Sequence, residues 1–230
     1  MKSLIVNADD LGISAGVNRG IIEAHERGIV TSASLMVRHP GARDAVEVAR
    51  SHPKLGIGLH IDLGEWAFKD DEWRSIYIFA SSEDRAAVEK EIAKQIEMFR
   101  DLMGRDPTHL DSHQHVHLQS AAKDVAIRWS NDLKVPLRLI TDHVTYIGDF
   151  YGQTGRGEPY PEGISVEGLI AILKNLPDGA SEIGCHPGFA NDLDSVYRDE
   201  RAVEVATLCD PRIRKVIADE NIRLCSFSDA

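Results

Sequence analysis

The sequence predicts an α/β fold in which a parallel sheet of seven strands closes into a (β/α) barrel. Short apolar runs alternate with amphipathic helical segments about seven times along the 230 residues, which is typical of parallel sheets. Polar residues suited to chemistry follow the ends of several strands, and barrel active sites are built at that rim. With 43% hydrophobic residues and no evident linker, the chain is predicted to form one domain over residues 1–230.

Each predicted element rests on its apolar pattern and on the residues that bound it. Short apolar runs bounded by turn residues predict strands, whereas apolar residues three and four apart predict helices. Ser14 and Gly28 are typical boundary residues at the start and end of the first helix. The predicted elements are a strand at 4–8, a helix at 14–28, a strand at 31–37, a helix at 42–50, a strand at 56–63, a helix at 83–102, a strand from 108 to about 115, a helix at 120–131, a strand at 137–140, a helix at 165–176, a strand at 181–185, helical material at 197–220 and a strand at 222–227.

Two long segments lack a clear pattern and are predicted to be irregular. Residues 146–163 are too long for a simple connection, so we expect a lid or a subunit contact, which makes a homodimer plausible. Residues 64–82 are rich in aromatic side chains, which either stack on a sugar or simply pin the segment onto the barrel. These aromatic residues are Trp66, Phe68, Trp73, Tyr77 and Phe79.

The stretch from residue 108 to 118 concentrates imidazole. It contains four of the ten histidines and one aspartate, and imidazole with carboxylate is the usual ligand set for a borderline divalent metal. An extended backbone would place five polar residues on one face, namely His109, Asp111, His113, His115 and His117. At roughly 3.3 Å per residue, at most two of them could then reach one ion. A helix would instead align His109, His113 and His117, and the competing interpretation without a metal is that these histidines are solvated or satisfied in the core.

Two adjacent aspartates, Asp9 and Asp10, follow the first predicted strand. Consecutive strand side chains point to opposite faces, so both can serve one site only if the backbone bends. Gly12 permits such a bend. The sequence therefore predicts two carboxylates at the rim of the barrel.

Histidines mark two further strand ends. His60 lies in an apolar strand, where a lone histidine is ordinarily a satisfied core residue, but other candidate ligands cluster at the neighbouring strand ends. Asp62 shares its face and is expected to orient its imidazole. His186 begins a His-Pro-Gly sequence at the end of a later strand and is a fourth candidate.

Charge and cysteine content restrict the partners. A net charge of −11 argues against nucleic acid and against an anionic membrane surface, and favours a neutral or cationic small substrate. The three cysteines have no C-x-x-C spacing, so we expect reduced thiols rather than disulfides or a thiolate metal site. The N-terminus runs directly into a short strand without a signal-type apolar region, so a cytoplasmic location is expected.

Four blocks together resemble the YdjC-like carbohydrate deacetylases, the chitooligosaccharide deacetylase group. The blocks are residues 7–12 (NADDLG), 58–63 (GLHIDL), 108–117 (THLDSHQHVH) and 186–188 (HPG). The resemblance, which runs from residue 4 to about 190, implies a distorted seven-stranded barrel related to the polysaccharide deacetylases. It also implies one divalent metal ion, Mg or Zn, held by Asp10, His60 and His113, with Asp9 as the catalytic base. Residues 64–82 depart from the glycine- and proline-containing loop of that family.

The resulting prediction is a metal-dependent hydrolase that removes N-acetyl groups from amino sugars. The metal polarises the carbonyl and a water, Asp9 takes the proton of the water, and His186 protonates the leaving amine. Trp66 and Arg138 are predicted to bind substrate. The predicted supporting residues behind the site are Asp62, Asp111 and His115.

Two other functions compete with this prediction. The H-x-H pair at residues 113–115 also fits a different barrel metallohydrolase, of amidohydrolase or phosphoesterase type, although those sites commonly carry H-x-H on the first strand. The last alternative is a module that binds sugar or metal without catalysis.

Overall fold

A computed structural model describes residues 1–229 of the chain. The described elements are, in chain order, β1 (Lys2–Leu11), α1 (Ala15–Glu26), β2 (Ser32–Leu35), α2 (Ala42–Ser51), β3 (Gly56–Ile61), β4 (Gly64–Lys69), β5 (Glu72–Ile78), α3 (Arg85–Met103), β6 (Leu110–Ser112), α4 (Ser120–Leu133), β7 (Val144–Ile147), α5 (Val166–Lys174), β8 (Gly179–Cys185), α6 (Asp199–Leu208), α7 (Pro211–Asp219) and β9 (Arg223–Leu224). Short 3₁₀ helices lie at His113–Leu118, Pro161–Ile164 and Ala190–Asp192. Of the helices within residues 1–229, none combines the length and the apolar character needed to cross a bilayer.

Seven strands form one parallel sheet in the order β6-β3-β2-β1-β8-β7, with the short β9 also paired to β1. The sheet is curled, because side chains from strands far apart in this order meet inside it. A single parallel bridge between Leu110 and Leu137 stands where the barrel would otherwise gain another strand. The predicted distorted seven-stranded α/β barrel is therefore confirmed.

Strand β1 lies at the centre of the sheet, and its side chains alternate between an apolar face and a polar face. Its even-numbered residues Leu4, Val6 and Ala8 belong to the main hydrophobic core, which includes the buried face of α1. The odd-numbered positions face the interior of the curl, where Asn7 reaches the buried Asp111 of β6 through a 3.2 Å hydrogen bond. One face of the strand thus stabilises the fold while the other presents polar groups.

The segment at 64–82 is not irregular as predicted, because β4 and β5 form an antiparallel hairpin. The turn consists of Asp70 and Asp71, both with positive φ, at 53° and 62°. Two consecutive left-handed residues match the twist of a two-residue hairpin, and aspartate tolerates that conformation. This hairpin rises beside the rim of the barrel.

The strand predicted at 137–140 was wrong. After Leu137 the chain turns at once, since Leu139 has a φ of +62° and the Thr141 amide bonds back to the Leu137 carbonyl at 3.0 Å. The strand instead forms at Val144–Ile147, and its last two residues fall in the segment 146–163 that was predicted to be irregular. The helical region near the C-terminus is two helices, because Asp210 caps a new helix that begins at Pro211.

Candidate active site

A cavity of about 790 Å³ opens at the carboxyl ends of the strands. One wall is aromatic and includes Trp66, Phe68, Trp73, Tyr146, Tyr151 and Tyr197. The polar part of the lining contains six predicted site residues, namely Asp9, Asp10, His60, His113, His115 and His186. The strand-end residues singled out in the sequence therefore come together.

Asp10, His60 and His113 form a close group. Oδ1 of Asp10 lies 3.3 Å from Nε2 of His60 and 3.3 Å from Nδ1 of His113. The aspartate reaches this position because its own backbone is left-handed, with a φ of +66°, at an irregularity in the pairing of β1 with β2. The bend that we predicted at Gly12, which has a φ of +94°, thus begins two residues earlier.

This group fits a divalent metal ion. Candidate ligand atoms of the three side chains all lie within 4.8 Å of one another. Oδ1 of Asp10 is buried and has no hydrogen-bond partner among residues 1–229, so neither 3.3 Å contact satisfies it as a hydrogen bond. A buried carboxylate oxygen without a donor is costly unless a cation meets it. One carboxylate and two imidazoles are also a common donor set for such ions.

His60 is oriented from behind by Asp111, as predicted for that aspartate. Nδ1 of His60 lies 2.8 Å from Oδ1 of Asp111 and 3.2 Å from Oγ of Ser34, which turns Nε2 toward Asp10. Burial opposes protonation, but Asp111 and Asp10 together raise the pKa of His60 well above its ordinary value. The site therefore attracts positive charge to this imidazole.

The role predicted for Asp62 was wrong. Strand β3 ends at Ile61, so Asp62 leaves the alternation that would have placed it beside His60. Its Oδ2 lies 2.8 Å from Nε2 of His39 and accepts a 2.9 Å hydrogen bond from the hydroxyl of Tyr77. Asp62 therefore joins β3 to the hairpin rather than supporting the ligand.

The extended backbone predicted for residues 109–117 ends at Ser112, so the five polar residues do not share one face. Gln114 and His115 are left-handed, with φ of 49° and 53°, and the chain enters a 3₁₀ helix. His109 is buried below the site against Phe227, and His117 bonds Ser112. His117 is satisfied in the core, as the competing interpretation proposed, because its Nε2 also lies 3.0 Å from the Arg138 carbonyl. His109 is a core residue as well, but its buried Nε2 has no hydrogen-bond partner in the described chain.

His115 lies in the cavity wall instead of behind the ligands, which corrects the supporting role predicted for it. Its ring meets the edge of Tyr146 at 5.5 Å between centroids. Burial lowers the pKa of His115 to about 4, so its imidazole is neutral near pH 7. Of the five residues on the predicted face, His113 reaches the candidate metal site directly and Asp111 acts through His60.

Asp9 is held by Arg138 and not by the histidines. Nη1 and Nη2 of Arg138 donate to its two oxygens at 2.7 Å each. Burial alone would raise the pKa of Asp9, but this guanidinium holds it well below the ordinary value. Asp9 is therefore ionised near neutral pH, and both its oxygens already have donors.

Arg138 does not bind substrate as predicted. Its side chain is completely buried and also contacts Asp111 at 2.9 Å and Glu182 at 2.6 Å. Three carboxylates thus surround one guanidinium below the cavity, and no part of Arg138 is left to face a ligand. Its role is to balance charge and to fix Asp9.

His186 lies next to Asp9, with 3.8 Å between Nε2 and Oδ2 of the carboxylate. Burial lowers the pKa of His186 to about 4, so its imidazole is neutral at rest. Its Nδ1 is buried and finds no hydrogen-bond partner in the described chain. The ring packs at an angle against Tyr151 and Tyr197, whose centroids are 5.5 and 5.2 Å away and which stack on each other.

Two buried residues of α6, Arg201 and Glu204, were not found in the sequence. Arg201 donates from Nη2 to Oδ2 of Asp10 at 2.6 Å, and Glu204 accepts from the backbone N–H of His186. The sequence did contain a signal for them. Arg201 and Glu204 are three residues apart, so they lie on one face of the helix, and that face also carries the buried Val205. Charged residues on the buried face of a helix indicate partners elsewhere in the fold.

The aromatic wall is tied to the histidine segment. The backbone N–H of Trp66 donates to the side chain of Gln114 at 2.9 Å, and that amide donates back to the Trp66 carbonyl at 2.8 Å. Trp73, on the other strand of the hairpin, is 59% exposed although it lines the cavity. The hairpin therefore presents aromatic surface that the fold itself does not fully bury.

Comparison with known proteins gives close relatives over the whole chain. A carbohydrate deacetylase of Geobacillus stearothermophilus is 32% identical over 247 residues, covering 98% of this chain and 96% of the relative. A chitooligosaccharide deacetylase of Serratia marcescens is 32% identical over 263 residues, covering 99% of each.

Solved structures agree with this fold. A crystal structure from Enterococcus faecalis, provisionally described as a cellobiose-phosphate cleavage protein, is 28% identical with a TM-score of 0.79 and covers 99% of this chain and 98% of its own. A family 4 carbohydrate esterase of Streptomyces lividans, in complex with acetate, has a TM-score of 0.57 at 13% identity, over 98% of this chain and 91% of its own, which shows a shared fold. The family model described as YdjC-like protein matches residues 3–219, from β1 through the end of α7, and the chain therefore belongs to the YdjC-like family.

Proposed function

We propose that the protein is a metal-dependent hydrolase that removes N-acetyl groups from amino sugars or short chitooligosaccharides. The observation that carries the proposal is the group of Asp10, His60 and His113 in a sugar-sized cavity, with Asp9 and His186 in the same lining. The names of the two relatives, both carbohydrate deacetylases, support the reaction class. The bond broken is the linear amide C–N bond of the acetamido group.

The ion would be held by Oδ1 of Asp10, Nε2 of His60 and Nδ1 of His113. Zinc and magnesium are the two ions that we propose, because the donor set suits zinc while water in the remaining positions would also suit magnesium. When bound, such an ion supplies Lewis acidity, which polarises a carbonyl and acidifies water. Asp9 is not among the proposed ligands because both its oxygens accept hydrogen bonds from Arg138, and we assign it a role in proton transfer instead.

Asp9 is the proposed general base. Because it is ionised at rest, it can accept a proton from water as that water attacks the acetyl carbon. Arg138 fixes the direction of the carboxylate and makes it a weak base, so proton transfer must accompany bond formation rather than precede it. The sugar amine is then the leaving group, and acetate is the other product of the hydrolysis.

His186 is the proposed route of that proton to the amine. It is neutral at rest, so it cannot arrive with a proton of its own, and it must first receive one. Asp9 lies 3.8 Å from its Nε2, close enough for a small movement or a water to connect them. The protonated imidazole can then donate to the sugar nitrogen as the C–N bond breaks.

The cavity favours an uncharged sugar. Within the described chain its lining includes no lysine, and its single arginine, Arg201, is already bonded to Asp10. Asp9, Asp10 and Glu65 give the lining a negative character. Aromatic residues of the hairpin provide surfaces on which a pyranose ring can stack.

The decisive experiment is acetate release from a panel of N-acetylated mono- and disaccharides, including 6-phosphorylated members. Metal-free enzyme is reloaded with zinc, magnesium, manganese or nickel in turn. We expect acetate from the neutral sugars with at least one ion. Binding of sugar and metal without acetate would support a non-catalytic module, and phosphate release from the phosphorylated members would support a phosphoesterase.

Two further proposals concern the state of the protein. We propose a homodimer, which light scattering on the purified protein tests, since residues 146–163 remain the candidate contact. We also propose a cytoplasmic location, which the three free cysteines, Cys185, Cys209 and Cys225, are compatible with. Fractionation of cells tests that location directly.

A further inference from the structure

Arg201 is a fully enclosed cation beside the candidate metal site. It is 2% exposed and lies in the first turns of α6, far along the chain from Asp10. Besides its 2.6 Å bond to Oδ2 of Asp10, it donates from Nε to the Tyr197 carbonyl at 2.8 Å and from Nη1 to the His186 carbonyl at 3.4 Å. Every nitrogen of the guanidinium thus has a fixed partner.

The two oxygens of Asp10 have different neighbours as a result. Oδ2 is taken by Arg201, while Oδ1 faces His60 and His113 and lacks a hydrogen-bond donor in residues 1–229. A carboxylate that donates through both oxygens to one ion would need Oδ2 as well. Arg201 therefore leaves one oxygen of Asp10 available to a cation.

The packing around Arg201 holds its side chain in one position. A Cβ on Gly188 would approach Cδ of Arg201 to 3.3 Å, so that glycine allows the side chain to pass. Glu204, one turn further along α6, anchors the His186 backbone and accepts from the Tyr197 hydroxyl. The helix face that carries Arg201 is thus fastened on both sides of the site.

We propose that Arg201 is a positioning residue that restricts Asp10 to one oxygen toward the metal and offsets part of its charge. The inference rests on the proposed metal-dependent function. An aspartate that is free to use both oxygens would bind the ion more tightly and fill a coordination position that substrate or water needs. A cation behind the ligand also withdraws electron density, which keeps the ion a stronger Lewis acid.

The test compares R201M and R201K with the wild type and with R198M, a control because Arg198 lies at the start of the same helix but is 55% exposed. Zinc affinity is measured by competition with a chelator, coordination by the visible spectrum of the cobalt(II) protein, and turnover by acetate release. Cobalt(II) absorbs more weakly as its coordination number rises. For R201M we expect zinc to bind at least about tenfold more tightly, because the buried Asp10 carboxylate has lost its countercharge and attracts the cation more strongly. We also expect weaker cobalt absorption and a kcat at least about tenfold lower with KM nearly unchanged.

R201K keeps the positive charge but loses the planar guanidinium, which bonds Asp10 and the Tyr197 carbonyl at the same time. We therefore expect zinc affinity, cobalt absorption and kcat to lie between those of the wild type and R201M. R201K also keeps the test valid if R201M fails to fold. Weaker zinc binding, or a cobalt spectrum in R201M or R201K equal to that of the wild type and R198M, would overturn the inference and leave Arg201 a structural residue. Wild-type protein that binds neither zinc nor cobalt would instead overturn the proposed function, so the two failures are distinct.

Discussion

Asp9 and Asp10 are adjacent in the chain but have opposite surroundings. Both oxygens of Asp9 accept from Arg138, whereas Asp10 shares one oxygen with Arg201 and turns the other toward the histidines. The left-handed backbone at Asp10 produces this division by sending the two side chains in different directions. The same substitution at the two positions should therefore have different effects.

Asp9→Asn should retain the metal and lose turnover, because the amide keeps the shape of the carboxylate but accepts no proton. General-base contributions are typically on the order of 10²–10⁴-fold, and we expect a fall in kcat in that range. Asp10→Asn should lose metal first and activity as a consequence. Metal analysis and acetate release measure both, with the exposed Asp101→Asn of α3 as the control. A fall of less than tenfold in Asp9→Asn would exclude it as the base.

His60→Ala and His113→Ala should each lose metal and activity together, since two remaining ligands hold an ion poorly against water. His115→Ala is the matched control, because its imidazole lies in the cavity wall and not in the three-residue group. Metal content per chain after dialysis decides the matter. A full equivalent of metal in His113→Ala would remove that residue from the ligand set.

The ligand residues could be found in the sequence because each lies at or near a strand end, where the barrel gathers side chains. Arg201 could not be placed, since nothing local links a helical arginine to an aspartate 191 residues away. Arg138 was misassigned for a related reason. A buried guanidinium and one that faces a ligand look the same until the carboxylates around it are located.

At the scale of elements, the hairpin of β4 and β5 is an addition to the barrel. The outer strand is mostly exposed, and the contacts of the hairpin to the site pass through Trp66, Gln114 and the pair of Asp62 with Tyr77. An element with so little buried surface contributes little to global stability. Its aromatic residues are therefore available for a different purpose.

Trp73→Ala should raise KM for a neutral sugar severalfold with little change in Tm, since the side chain is 59% exposed yet lines the cavity. Trp66→Ala should raise KM and also lower Tm, because Trp66 is half-buried and packs against the core. Ile76→Ala, 50% exposed on the same hairpin and absent from the cavity lining, is the control. Unchanged KM with a lower Tm in both tryptophan variants would mean that the aromatic residues only anchor the hairpin.

Helices and strands with a sustained pattern of apolar residues were predicted well. Elements whose ends depend on the backbone conformation of one or two residues were not. The strands at β1, β2, β3 and β8 follow from apolar runs, which the buried sheet requires. The histidine strand ends early because Gln114 and His115 adopt left-handed conformations that no pattern in the sequence specifies. The hairpin turn left a weaker signal, since Asp70 and Asp71 separate two runs that contain aromatic residues and aspartate tolerates the left-handed backbone of such a turn.

At the scale of the whole molecule, the site is supported by carboxyl groups that are buried far from water. Burial raises the pKa of Glu204 to about 8, against an ordinary value near 4.5, and Tyr197 opposes that rise only in part. The folded protein therefore binds a proton at Glu204 more tightly than the unfolded chain does. Stability from this group is complete below about pH 4.5 and is lost as the pH rises through 8.

Glu204→Gln should remove the loss of folding stability at high pH, because glutamine does not ionise. Between pH 5 and 9 the free energy of unfolding of the wild type should fall relative to the variant, with a slope of at most about 1.4 kcal/mol per pH unit. Urea unfolding of metal-free protein in chelator measures the difference, and the exposed Glu97→Gln of α3 controls for the substitution itself. Parallel curves for the wild type and Glu204→Gln would contradict the prediction.

The central place of β1 has a consequence for how the chain reaches its native state. Strand β2, which pairs with one edge of β1, is synthesised soon after it. The other edge of β1 pairs with β8, so the pairing of Asn7 with Gly184 cannot form until β8 has been synthesised. Folding rates fall as native contacts become more distant in sequence, and an unpaired strand edge invites association with other chains. The strand that bears both aspartates is synthesised long before β8, so one of its edges stays unpaired in the nascent chain until β8 follows.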